Sequence, residues 1–335
     1  MTTEHIPLTL SEYQRRAKET DHLPDTVVDG IDVRLPPLLG LSGEIGTLIA
    51  GYKKFLRDGA AYELFRANIK EELGDILWYL ANAAEKFGLS LEEIAEYNLK
   101  KTSDRWPPVS VGERLKRNPT DYFDAHYDPS EQLPRTFEIT IRPVEDPARP
   151  EPIVEVIWQG RRVGSKLGDN TYEDSGYRFH DAFHLANAAV LGWSPVARGV
   201  IFKCKRKSNP TVDAVEDGGR AIINEEAFVA LMFAYARQHN YLADVKSLDF
   251  SLLKVFRTYT ADLEVSARYL WEVEEAVLQG FSVWRKLRQN KGGVLLAISE
   301  IPQSRSSKFP TLGVLLILVP VSFRSVFAGL CLVGA

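Results

Sequence analysis

Residues 71–78 read Glu-Glu-Leu-Gly-Asp-Ile-Leu-Trp, and this stretch decides how the first part of the chain is interpreted. It places two carboxylates, Glu72 and Asp75, three residues apart in an apolar pattern typical of a helix, so both lie on one helix face. Charged residues that face a buried surface are rare unless they are paired or bind a metal. A second apolar helix, predicted from Leu38 to Leu56, carries Glu44 in the same setting. Two such helices facing each other in a bundle offer oxygen ligands for a hard divalent cation such as Mg²⁺.

The composition is that of a globular protein of about two domains. The chain has 335 residues, of which 45% are hydrophobic and 26% charged, and its net charge is −4. This charge provides no global basic field for nucleic acid. The two cysteines, Cys204 and Cys331, are far apart, which excludes a disulfide framework and a cysteine zinc site. Because the N-terminus has neither the basic nor the apolar segment of a signal peptide, we expect a cytoplasmic protein.

Helix start and stop signals predict four helices in residues 1–106. Capping boxes at Thr9–Glu12 and Ser90–Glu93 begin the first and the fourth helix. The second helix follows Pro36-Pro37, and the third runs from about Tyr62 to Phe87, where a glycine ends it. Residues 1–106 are therefore assigned to an all-α helical bundle.

A change of hydrophobic period marks a second domain, after a linker at residues 107–135 that is rich in proline, aspartate and asparagine. Alternating apolar residues from Phe137 to Ile141 predict a strand, and Ile153–Trp158 predicts another. The other predicted elements are a third strand at Gly199–Cys204 and helices over about 177–191, 222–242 and 261–289. The basic run Lys203–Lys207 is interpreted as a solvated loop. The fold class is thus mainly α, with a mostly helical α+β domain at residues 136–293.

Residues 294–335 form an atypical apolar tail in this interpretation. The stretch from Thr311 to Ala335 is long enough to span a bilayer, but Arg324 lies within it and no basic cluster follows. A buried or poorly ordered tail is favoured over a membrane anchor, and an atypical end of the sequence is a third alternative.

The stretch from Gly40 to Trp106 resembles the MazG-like all-α nucleoside triphosphate pyrophosphohydrolases. Their pattern is E-x-x-E, a spacer and E-x-x-D, followed by N-x-x-K-x-x-x-R with an aromatic residue and proline. The second pair is present as Glu72 and Asp75, whereas in the first pair Glu44 is followed by Thr47 instead of a second glutamate. The last element appears as Asn98, Lys101, Arg105, Trp106 and Pro107. Residues 176–293 resemble the C-terminal domain that is seen fused to MazG-like domains.

This resemblance implies hydrolysis of a nucleoside triphosphate to a monophosphate and pyrophosphate, by a homodimer or a dimer of dimers. It also implies a role in nucleotide-pool control, stress or phage defence. The cation would be Mg²⁺, or Mn²⁺ in its place, with Glu44, Glu72 and Asp75 as ligands. Glu71 is a further candidate ligand or water-activating base. The candidate substrate-binding residues are Lys54, Asn98, Lys101, Arg105 and Trp106.

Two alternatives stay open for this first site. On charge pattern alone, the carboxylates would pair with Lys53, Lys54 or Lys70 on a solvated helix face. Because a threonine hydroxyl is a poorer Mg²⁺ ligand than a carboxylate, Thr47 could also indicate a protein that binds nucleotide without hydrolysing it.

A second candidate site lies in the α+β domain. His180 and His184 are four residues apart and share a helix face, a spacing that can hold a metal. The other candidate residues of this site are Arg178, Asp181 and Glu225. A metal-dependent activity located here is the alternative to the first site, and histidines that are simply hydrogen-bonded in a core are the simpler interpretation.

Overall fold

The computed structural model describes residues 7–22, 30, 32–59, 65–106, 118–145, 147, 151–298 and 315–319. The chain divides into two units, Met1–Thr102 and Ser103–Ala335. The first is all-α, which confirms the predicted helical bundle. Its helices are α1 (Leu10–Glu19), α2 (Leu35–Asp58), α3 (Phe65–Lys86) and α4 (Leu91–Arg105), the last of which runs three residues into the second unit.

Hydroxyl groups cap the helices where the sequence predicts their starts. The Thr9 hydroxyl oxygen accepts a hydrogen bond from the backbone N–H of Glu12 at 3.1 Å, and that of Ser90 accepts one from Glu93 at 3.0 Å. Each bond satisfies a backbone donor that has no partner within the helix. The predicted start of the third helix at Tyr62 lies outside the described residues.

Helices α2 and α3 run antiparallel and in close contact. The rings of Phe55 and Phe65 stack with centroids 4.2 Å apart near one end of the pair. Near the other end Gly40 contacts the ring of Tyr79, and a methyl group on Gly40 would overlap that ring. This close approach brings the faces that carry Glu44 and Glu72 together.

The second unit contains a five-stranded antiparallel sheet in the order β3-β2-β1-β4-β5. The strands are β1 (Thr136–Val144), β2 (Ile153–Trp158), β3 (Arg161–Leu167), β4 (Gly293–Ile298) and β5 (Leu315–Val319). Phe137, Ile139 and Ile141 are buried on one face of β1, as their alternation predicts.

Between β3 and β4 the described residues form five α-helices. They are α5 (Asp181–Leu191), α6 (Pro210–Val215), α7 (Gly219–Gln238), α8 (Phe250–Tyr259) and α9 (Leu270–Asn290). All residues of α5 from Ala182 to Leu191 are buried, and α5 packs against both α7 and α9. The approach to α9 is close because Gly280 faces Phe183 and Ala186, which a side chain on Gly280 would crowd. Helix α5 therefore forms the centre of the core.

Several local predictions differ from the structure. Residues 197–201 form a π-helical turn instead of part of a strand, since Arg198 turns its side chain inward to Asp124 at 2.7 Å. Arg206 is buried rather than solvated, because it pairs with Asp217 at 2.7 Å. The sequence also missed β3, an edge strand whose side chains are mostly exposed, so that no apolar alternation marks it.

The boundary of the predicted apolar tail also changes. Residues 294–298, assigned to that tail, form most of β4, which pairs with the central strand β1 from Thr136 opposite Ile298. Leu295 and Ala297 are buried there, so the apolar character of this segment serves the core. Of the remaining tail only Leu315–Val319 is described, as β5. Among the residues in the described ranges, no helix combines the length and apolar character needed to cross a membrane.

Candidate functional site

Carboxylates from α2 and α3 converge between the two helices. Glu44 lies close to Glu72, and both are half-buried. Burial raises the pKa of Glu72, and so do the negative charges of the neighbouring carboxylates Glu44, Asp75 and Glu71. The structure therefore brings together the four acidic residues that the sequence predicts for the site.

The acidic cluster has no lysine or arginine in salt-bridge contact within the described parts of the chain. None of its four carboxylates forms a salt bridge there with a lysine or arginine, so the solvated pairing with Lys53, Lys54 or Lys70 is not what the structure shows. Mutually repelling carboxylates are unfavourable unless a cation compensates them. An all-oxygen donor set of this kind suits a hard divalent ion such as Mg²⁺.

A cavity of about 80 Å³ opens beside the cluster, between α2 and α3. Glu72 and Thr47 line it, together with Lys54 and Asn68. The Thr47 hydroxyl donates a hydrogen bond to the carbonyl oxygen of Gly43 at 3.3 Å. The cavity thus places one cationic and one amide side chain next to the carboxylates.

Sequence reasoning missed Asn68 and Tyr13. Tyr13 of α1 lies near Asp75. Burial is the main cause that raises the pKa of the Tyr13 phenol, and the negative charge of Asp75 adds to it. Neither residue belongs to a spaced acidic or basic motif, so only the packing of α1 and α2 on α3 reveals them.

Four of the candidate substrate-binding residues follow α3 in the chain, two of them at exposed positions of α4 and two in the second unit. Asn98 and Lys101 are exposed on α4. Arg105 and Trp106 belong to the second unit, where the Arg105 guanidinium lies 4.7 Å from the Trp106 ring centre and 4.8 Å from that of Phe250. These two residues also line a cavity of about 180 Å³ with Phe250 and Trp271. Two aromatic rings therefore flank Arg105 within its own unit.

The second candidate site is a cluster around the buried side chain of His184. Its Nδ1 lies 3.0 Å from a carboxylate oxygen of Glu225, and its Nε2 lies 3.4 Å from one of Glu226. Burial alone would lower the pKa of His184, but the two carboxylates outweigh burial and raise it to about 10. His180 is close by, with its ring centre 5.7 Å from that of His184.

The structure divides the other predicted residues of this site. Glu225 is buried beside His184, as proposed, and Asp181 has an oxygen 3.7 Å from Nε2 of His180. Arg178 instead pairs with Asp169 at 2.9 Å and Asp174 at 2.7 Å. The sequence missed Glu226, which could have been considered because it directly follows Glu225.

The first unit is all-α and carries an acidic cluster between two antiparallel helices. This arrangement is typical of helical proteins whose side chains can hold a divalent cation. Two domain families match the chain. The MazG nucleotide pyrophosphohydrolase domain matches residues 41–110, which include the acidic cluster, and the MazG C-terminal domain matches residues 118–302. The chain belongs to the MazG family.

One curated relative gives a further similarity. The "Gene 37 protein" of Mycobacterium phage L5 is 33% identical over 96 residues, which are 28% of this chain and 84% of the relative. No solved structure matches the chain.

Proposed function

We propose that the protein hydrolyses a nucleoside triphosphate to a nucleoside monophosphate and pyrophosphate, with Mg²⁺ or Mn²⁺ as cofactor. The observation that carries this proposal is the convergence of Glu44, Glu72 and Asp75 from two helices beside a cavity. The match of residues 41–110 to a nucleotide pyrophosphohydrolase domain supports it.

Each group in the cluster has a role that its position allows. Glu44, Glu72 and Asp75 would hold the cation, which when bound neutralises phosphate charge and polarises phosphoryl oxygens. Glu71, exposed next to Glu72, would accept a proton from the attacking water. The water oxygen bonds to the α-phosphorus, the bond from that phosphorus to the bridging oxygen breaks, and pyrophosphate leaves. Lys54 would contact phosphate oxygens from the cavity wall.

A homodimer fits the surface of α2. Ile45, Ile49, Tyr52 and Leu56 are exposed and recur at intervals of three and four residues, so they form one apolar stripe along the helix. A second copy would bury this stripe against its own. Light scattering coupled to size exclusion tests the assembly, and an Ile49→Glu variant should shift the mass towards that of the monomer.

Pyrophosphate release tests the enzymatic proposal. Wild-type protein is incubated with a panel of nucleoside and deoxynucleoside triphosphates and Mg²⁺, next to Glu72→Gln and Asp75→Asn variants. Loss of a metal ligand removes several kcal/mol of transition-state stabilisation, so both variants should lose about 100-fold or more in rate. The matched control is Asp58→Asn, because Asp58 lies on the same helix as Glu44 but pairs with Arg57 at the exposed end. Equal rates in all four proteins would overturn the proposal.

Thr47 favours a second candidate, a nucleotide-binding protein without turnover. Its hydroxyl is engaged with the Gly43 carbonyl oxygen and replaces a carboxylate of the MazG-like pattern. Metal-dependent nucleotide binding by calorimetry, with no pyrophosphate from any substrate, would support this candidate over hydrolysis.

A further inference from the structure

Two histidines and one glutamate form a compact group in the second unit, separate from the acidic cluster. His180 and His184 lie one helical turn apart at the start of α5, and Glu226 lies on α7. One potential ligand atom from each of the three residues falls within 4.8 Å of the other two. In the part of the chain that the structure describes, no other three such side chains meet this way.

Neighbouring groups orient both imidazole rings for this arrangement. Nδ1 of His180 lies 2.9 Å from the Tyr177 carbonyl oxygen, which can only accept, so in the neutral ring this nitrogen carries the proton and Nε2 has the free lone pair. The Tyr177 ring stacks on His180 with centroids 4.6 Å apart and holds its plane. Hydrogen bonding of the other ring nitrogen to a carbonyl or carboxylate is typical of histidines that bind metals.

Glu225 faces the other side of the His184 ring as a charged neighbour, not through a hydrogen bond of good geometry. Its carboxylate lies 3.0 Å from Nδ1 of His184 and is itself fixed by three donors of the core. These donors are the Asn187 amide at 3.0 Å, the Ser194 hydroxyl at 2.8 Å and the Val196 backbone N–H at 3.0 Å. A carboxylate held this rigidly directs Nε2 of His184 towards Glu226.

The fully buried ring of His184 also lacks a proper hydrogen bond. Both ring nitrogens are near carboxylate oxygens, but neither makes a hydrogen bond of good geometry. Buried polar atoms nearly always have such a partner, and an ion is one explanation for an exception. This second observation points to a ligand between His184 and Glu226.

The donor set indicates which ion fits. Two imidazole nitrogens and one carboxylate suit borderline divalent metals such as Zn²⁺, unlike the all-oxygen cluster between α2 and α3. Zinc ligands lie about 2.0–2.2 Å from the metal, so the three donors must approach one another slightly. Glu226 can do this because its side chain is 41% exposed, whereas His184 is fixed in the core. Three protein ligands leave the fourth position open.

We propose that His180, His184 and Glu226 bind a Zn²⁺-type divalent metal in the second unit, with Tyr177 and Glu225 orienting the rings. The site is independent of the proposed hydrolysis. It gives the protein two metal sites of different chemistry, one for a hard cation and one for a borderline metal.

Metal titration of the full chain tests this site directly. The protein is stripped with a chelator and titrated with ZnCl₂ by calorimetry, and with Co²⁺ by visible absorption. All proteins carry Glu72→Gln and Asp75→Asn, so the acidic cluster does not contribute to the signal. We expect one Zn²⁺ per chain and Co²⁺ bands typical of nitrogen and oxygen ligands.

Variants at the two less buried ligands decide the outcome. His180→Ala and Glu226→Gln should lose stoichiometric Zn²⁺ and the Co²⁺ bands, while the control His239→Ala, an exposed histidine at the end of α7, should keep both. Circular dichroism verifies that each variant is folded. Unchanged Zn²⁺ binding in the two ligand variants, or no stoichiometric binding before substitution, would overturn the proposal and leave His184 as an imidazolium paired with Glu225 and Glu226. Neither result depends on pyrophosphate release.

Discussion

Replacing Asp217 by asparagine should lower the melting temperature of the second unit substantially. Asp217 and Arg206 are each 1% exposed and form a buried ion pair with atoms 2.7 Å apart. Asp217 also accepts the Arg206 backbone N–H at 2.8 Å and lies 3.5 Å from the Arg198 guanidinium. Asparagine would keep the shape of the side chain but remove its charge. Its NH₂ group, itself a donor, cannot accept hydrogen bonds from the arginine N–H groups that it would face.

The size of the effect follows from what remains after the change. Breaking a buried pair by removing one partner costs about 3–5 kcal/mol. Arg206 keeps its second partner, Glu264, at 2.8 Å, and Arg198 keeps Asp124 at 2.7 Å, which places the cost near the lower limit. At about 2–4 °C per kcal/mol for a unit of this size, about 3 kcal/mol lowers the melting temperature by about 6–12 °C.

Scanning calorimetry with tryptophan fluorescence measures this shift, because Trp193 and Trp284 are buried in the second unit and report its unfolding. The matched control is Asp262→Asn. Asp262 pairs with Arg220 at 3.4 Å, but the two side chains are 80% and 78% exposed, so its loss costs about 0–1 kcal/mol. If Asp217→Asn melts at the temperature of this control, the buried pair contributes no more than a surface pair and the reasoning is refuted.

Three other changes test the packing and the electrostatics. Gly40→Ala should cost about 1–3 kcal/mol in urea unfolding, because the methyl group overlaps Tyr79; no loss would mean that the α2–α3 contact is looser. Acidification should destabilise the wild type more than the Asp124→Asn variant. Burial alone would raise the pKa of Asp124, but two arginines hold this pKa below its usual value. The stabilisation that the Asp124 carboxylate provides therefore exists above about pH 4 and is lost as the pH falls through the lower pKa of the folded state. Leu295→Ala should cost about 2–5 kcal/mol by tryptophan fluorescence, and an unchanged midpoint would remove β4 from the core.

Helix boundaries in the first unit were predictable because their causes are local. Thr9 and Ser90 each bond to a backbone N–H three residues on, so the capping motif can be read without tertiary information. The acidic cluster was predictable for a related reason. A three-residue spacing fixes Glu72 and Asp75 on one helix face whatever packs against it.

Local patterns failed where a distant partner overrides them. The apolar run at Gly199–Cys204 predicts a strand, but Arg198 is drawn into the core by Asp124, which lies 74 residues earlier. Strand β3 was missed because an edge strand exposes charged residues and so shows no alternating pattern. Apolar composition alone did not distinguish β4 from a tail, since burial is decided by its pairing with β1.

The sequence by itself determined the mainly helical class, the α+β character of the second domain and two groups of candidate metal-ligand residues. Only the tertiary structure decided which of those side chains meet. It joined Glu44 to Glu72 across two helices, turned Arg178 away to Asp169 and added Glu226 to His180 and His184. The physical reason is that helical periodicity places residues within one element, whereas a site built from two elements depends on how their faces pack.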